Sequence, residues 1–132
     1  MKVIIKDPTY KKSDPNTKRC IDSGIKKLQQ RIENYTENGT TINRVFNDDV
    51  LIHDIICGFY VYKTKTCNNQ LRLLYTIIND KLFVISHYIK KSDENMHNQA
   101  YIGHFEKACD TLKRKGVFNY EPNRHQEIGV QC

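Results

Sequence analysis

Long apolar runs are missing from these 132 residues, whose uninterrupted hydrophobic stretches extend only a few positions. A membrane-spanning helix, which needs about 20 apolar residues in a row, is therefore not expected. The opening Met1-Lys2-Val3-Ile4-Ile5-Lys6-Asp7 shows neither an apolar segment of signal-peptide length nor a small-residue cleavage site. A cytoplasmic protein is the resulting expectation. The five cysteines (Cys20, Cys57, Cys67, Cys109, Cys132) include no C-x-x-C pair and no histidine at ligand spacing. Neither a zinc site nor any other cofactor is expected, and reduced structural thiols are the favoured reading. Internal repeats and low-complexity tracts are absent too. The 39% hydrophobic and 10% aromatic content suffices for one core. A single domain over 1–119 and a polar tail over 120–132 are predicted.

The net charge of +6 is unevenly spread. Residues 1–58 hold ten Lys/Arg against eight Asp/Glu, residues 59–91 six against one, and residues 92–132 five against six. A basic surface concentrated in one segment suits a phosphate-bearing partner; the plainer alternative is a surface kept basic for solubility.

Patterning predicts an α+β fold: a small antiparallel meander sheet, an N-terminal helix or helices on one side, and a C-terminal helix. Val3-Ile4-Ile5 reads as a short strand ended by Asp7-Pro8. Asp14-Pro15 is an N-cap and first-turn pair for a helix whose stripe is Ile21, Ile25, Leu28, Ile32 and Tyr35, closed at Asn38-Gly39. Ser23-Gly24 leaves open a later start, after Gly24. Residues 41–57 are apolar but aperiodic and read as a packed connection, with a short helix as the alternative. From Phe59 the period becomes two, with strands over Phe59–Lys65, Leu71–Ile78 and Lys81–Ile89 separated by Cys67-Asn68-Asn69 and Asn79-Asp80. Ser92 or Asp93 caps a last helix carrying Ala100, Tyr101, Phe105, Ala108 and Leu112, which ends at Lys113-Arg114-Lys115-Gly116.

Lys63 and Lys65 project from one face of their strand, and Arg72 is the lone charge in an apolar neighbour. Pairing through the intervening turn brings the three together, an arrangement that costs stability and is explained by anion binding. Structural pairing of Arg72 with Asp80 or an acid from 48–54 is the alternative. No Asp or Glu occurs in residues 59–79, which disfavours a Mg²⁺-dependent nuclease. The metal-free route to RNA cleavage remains: attack of a 2′-hydroxyl on the adjacent phosphate, helped by a base, cations and an acid. Crowded lysines suit the base, and His97 has the intrinsic acidity for the acid; His97 as an ordinary helix-surface residue is the competing reading. The strand tyrosines read first as cross-strand packing, with one exposed ring available to stack on RNA; Lys90, Tyr62 and Tyr101 are the candidate RNA contacts.

The stretch Phe59-Tyr60-Val61-Tyr62-Lys63-Thr64-Lys65, then Leu71-Arg72-Leu73-Leu74-Tyr75, then Phe83-Val84-Ile85-Ser86-His87-Tyr88-Ile89-Lys90-Lys91-Ser92 resembles the sheet of the RelE/ParE-like toxins of bacterial toxin–antitoxin systems, including the HigB-type branch. The resemblance covers about a third of the chain. It implies a toxin that cleaves mRNA on the ribosome and is neutralised by an antitoxin protein. Lys63 and Lys65 match the family's lysine pair and Arg72 its transition-state arginine. Lys91, or Lys90 with a one-residue slip, falls where members carry a further arginine, and His97 near a tyrosine or histidine used for stacking or acid catalysis. Tyr101 is the nearest tyrosine to that position. Lysine in place of the strand-end arginine is a departure that removes bidentate phosphate contact. A gyrase-inhibiting toxin of the ParE kind and a non-catalytic RNA-binding module on the same fold are the alternatives.

Overall fold

Three two-residue turns set the centre of the molecule. In the computed structural model, which describes residues 1–37 and 50–115, both residues of Cys57-Gly58 (φ 54° and 81°), Cys67-Asn68 (52° and 61°) and Asn79-Asp80 (53° and 60°) lie in the left-handed region. That geometry matches the twist of antiparallel strands and permits hairpins without slack. The strands so joined are β2 (Asp54–Ile56), β3 (Phe59–Thr66), β4 (Asn69–Ile78) and β5 (Lys81–Lys91). A further strand, β1 (Lys2–Ile5), lies parallel to β5, giving the order β1-β5-β4-β3-β2.

The fold is α+β as expected, but the sheet is mixed rather than a pure meander. The four residues of β1 carry no signal for which edge they will join. A bulge corrects a second detail: Leu74 pairs with Ser86 but Tyr75 with Val84, so Ile85 is an extra residue on β5. Every side chain of β5 beyond Ile85 is thereby moved to the opposite face from the one an uninterrupted ladder would give it.

Helix α1 (Pro15–Glu37) starts at the proline and not after Gly24. The Asp14 carboxylate accepts a hydrogen bond from the Thr17 amide at 2.7 Å, satisfying a first-turn donor. Its stripe of Ile21, Ile25, Leu28 and Ile32 is buried against Tyr60, Tyr62, Leu71, Leu73 and Tyr75. A Cβ at Gly24 would overlap the Leu71 side chain, so glycine lets the helix close onto β4. Helix α2 (Asn98–Lys115) covers part of the other face, where Tyr101, Phe105, Cys109 and Leu112 pack on Phe59, Val61, Leu74 and Ile85. It begins later than Ser92 or Asp93: the backbone of Ser92, Glu94 and Asn95 is bonded instead to Asn68, Gln70 and Lys90. Neither described helix is long and apolar enough to cross a membrane. The predicted stops at Asn38-Gly39 and Gly116, the early part of the 41–57 connection and the polar tail lie outside the described residues.

Reduced thiols throughout is a reading that the structure corrects. Cys20 of α1 and Cys67 of the β3–β4 turn form a disulfide across 47 residues, with Cα atoms 5.7 Å apart. A link closing a loop of that length contributes about 4 kcal/mol in the chain-entropy picture. Their pairing follows from α1 lying over the hairpin, which no spacing in the sequence reveals. Cys57 and Cys109 remain free.

Candidate functional site

On the face that carries α2, the apolar half of the sheet stops at Val61 and Leu74. One residue pair further along, Lys63 stands directly opposite Arg72, and Lys65 opposite Gln70. There a cavity of about 580 Å³ opens, lined by Lys63, Lys65, Gln70 and Arg72 from the sheet. One side is closed by Val50 and His53, the other by Ser92, Glu94, Asn95, Met96 and Asn98.

Each wall is fixed by hydrogen bonds. The Lys63 amide donates to the Val50 carbonyl at 2.9 Å and the His53 amide to the Val61 carbonyl at 2.8 Å, prolonging the β2–β3 pairing beyond Asp54. Across the site the Gln70 side-chain amide donates to the Glu94 carbonyl at 2.7 Å, with the Lys91 and Ser92 carbonyls at 3.4 and 3.3 Å. The Lys90 ammonium donates to the Asn95 carbonyl at 3.3 Å.

Arg72 is the exceptional group. Its side chain is buried, at 6% exposure, yet it forms no ion pair with a described carboxylate. One terminal nitrogen donates to the Leu71 carbonyl at 3.1 Å, and Nε is buried with no partner among the described residues. Burial pulls the guanidinium below its ordinary range, opposed by the Tyr101 phenol. Burial likewise raises Tyr101, whose hydroxyl donates to Asp54 at 3.3 Å and whose ring centroid lies 6.4 Å from that of His53. An arginine stripped of water without a counter-ion holds unspent affinity for an anion.

The residues singled out from the sequence divide accordingly. Lys63, Lys65 and Arg72 share the cavity. Lys90 is on their face, opposite Gln70, and is tied into the wall. Lys91 is opposite Asn69 and lines a separate recess with Asn68, Ser92 and Asp93; the Ile85 bulge is the reason. His97 is exposed and does not line the cavity, although its neighbours Met96 and Asn98 do. Tyr62 and Tyr101 are buried in the two cores, at 3% and 0%, which corrects their reading as RNA contacts. His53 and Glu94 line the cavity as well, and no sequence motif marks either. The left-handed pair Cys57-Gly58 was the available signal for His53, since a two-residue turn there folds residue 53 back beside β3. Glu94 brings an acid to a cluster whose own strands carry none over residues 59–79, for it arrives from beyond β5.

Comparison with protein-family models, with curated proteins and with solved structures finds no match. The likeness to RelE/ParE-like toxins thus rests on the quoted residues alone.

Proposed function

We propose that the chain is a metal-independent endoribonuclease toxin of the RelE-like kind, acting on mRNA in the ribosome and held in check by an antitoxin protein in the cytoplasm. The observation that carries this reading is the buried, unpaired Arg72 at the floor of a cavity flanked by Lys63 and Lys65. A scissile phosphodiester would supply the missing counter-ion. Its charge grows as the 2′-oxygen attacks, so a buried guanidinium with two ammonium groups beside it favours the transition state over the ground state. The fork of Arg72 suits two phosphate oxygens, and the lysines act as point charges beside it.

Induced expression without a partner tests the proposal. Wild-type protein should arrest growth and leave primer-extension stops within translated messages, and Arg72→Ala, Lys63→Ala or Lys65→Ala should relieve both. In binding assays, each lost phosphate contact should reduce the salt slope by about 0.7 for single-stranded RNA. Harmless wild-type protein would overturn the reading, as would arrest with intact messages and damaged DNA, the pattern of a gyrase inhibitor.

A further inference from the structure

Cleavage needs an acid as well as a base, and although Lys63 and Lys65 line the cavity, His97 lies off it. Two other titratable side chains line it. His53 reaches it beside β3 and Glu94 from beyond β5, so they enter from the two sides of the strand pair bearing Lys63, Lys65 and Arg72. The Glu94 carboxylate makes no hydrogen bond or ion pair with a described residue, and its backbone is pinned by Gln70. His53 is placed by its amide bond to Val61 and lies next to Tyr101.

We infer that Glu94 and His53 are the acid–base pair of this cavity, with Glu94 the general base and His53 the general acid. The inference rests on the RNA-cleaving reading above. In the step, the 2′-hydroxyl proton passes to the Glu94 carboxylate as the 2′-oxygen–phosphorus bond forms. The phosphorus–5′-oxygen bond breaks, and the departing oxygen takes the proton of the His53 imidazolium. The products are a 2′,3′-cyclic phosphate and a 5′-hydroxyl, with no change of oxidation state and no co-reactant. The two groups start and end in opposite protonation states, as acid–base catalysis requires. Among the described residues, the charged groups that line the cavity with Glu94 and His53 are Lys63, Lys65 and Arg72; Tyr101, bonded to Asp54, lies beside His53, and Asp93 precedes Glu94 in the chain.

Single-turnover cleavage of mRNA on programmed ribosomes, followed against pH, tests the pair. Wild-type protein should give a bell: the rate rises as the carboxyl ionises and falls as the imidazolium loses its proton. Glu94→Gln should remove the acid-side limb and His53→Asn the alkaline limb, each slowing cleavage about 10²- to 10⁴-fold with mRNA binding retained. A substrate with sulfur in place of the bridging 5′-oxygen has a leaving group that needs no acid. It should restore His53→Asn but not Glu94→Gln, and should erase the alkaline limb of wild-type protein, an outcome that depends on no variant's folding. Cleavage by wild-type protein with both limbs preserved in the two variants would overturn the acid–base pair while leaving the nuclease intact. No cleavage by wild-type protein at any pH would overturn the nuclease itself.

Discussion

The same two strands, on the same face, behave in opposite ways along their length. Under α2, Phe59, Val61 and Leu74 are sealed by Tyr101 and Phe105; one pair further on, Lys63 and Lys65 are exposed and Arg72 is buried without a counter-ion. The first half has every feature of a packed core. The second places like charges side by side, which a sheet tolerates only at a cost. Stability accounts for one half and not for the other.

Substitutions should separate the halves. The largest loss of stability is expected under α2, where Phe105→Ala should lower the unfolding free energy by about 3–5 kcal/mol in urea titrations. RNA affinity of the folded fraction should stay unchanged.

A buried charge with its partner supplies the intermediate case. Asp7, after β1, accepts hydrogen bonds from the Thr9 amide at 3.0 Å, from the Thr9 hydroxyl at 2.7 Å and from His87 Nδ1. Burial alone would raise this carboxyl, but His87 and Thr9 together outweigh it and hold it below its ordinary 3.8. A depressed carboxyl contributes stability above its unfolded value and loses it as pH falls through the folded one. Asp7→Asn should therefore cost about 2 kcal/mol near neutrality, and the difference from wild type should vanish below pH 3.8 as acid titrates the native carboxylate.

The smallest effect on stability is expected at Arg72. Replacing an unpaired buried charge with an apolar side chain of similar length should leave Arg72→Met within about 1 kcal/mol of wild type, or more stable. RNA binding should nevertheless collapse. A loss of several kcal/mol would mean that the guanidinium holds the fold together, and the contrast between the halves would fail.

Much of the frame was legible because it is written locally. Alternation over Phe59–Lys65, the Asp14-Pro15 cap and the Asn79-Asp80 turn each announce an element through neighbouring residues. Lys63, Lys65 and Arg72 were legible too, since a short hairpin makes register a matter of counting. What escaped depends on residues far apart in the chain. A single extra residue at Ile85 exchanges the faces of Lys90 and Lys91, and no composition signal marks it. The Cys20–Cys67 bond requires knowing which side of the sheet α1 covers. A disulfide is unusual in a reducing compartment, so the redox state of this pair in cells bears directly on the cytoplasmic assignment. Glu94 enters the site through a segment without periodicity, positioned by a glutamine whose own pattern says only that it lies on a strand.

That glutamine has a mechanical consequence. From Ser92 to Asn95 the chain is attached to the sheet mainly by the Ser92 amide on the Asn68 carbonyl, at 3.2 Å, and by the tips of Gln70 and Lys90. Fastenings of this sort are worth about 1 kcal/mol apiece, far less than the ladder beneath them. That segment can therefore part from the sheet at a far smaller cost than the strands can part from one another.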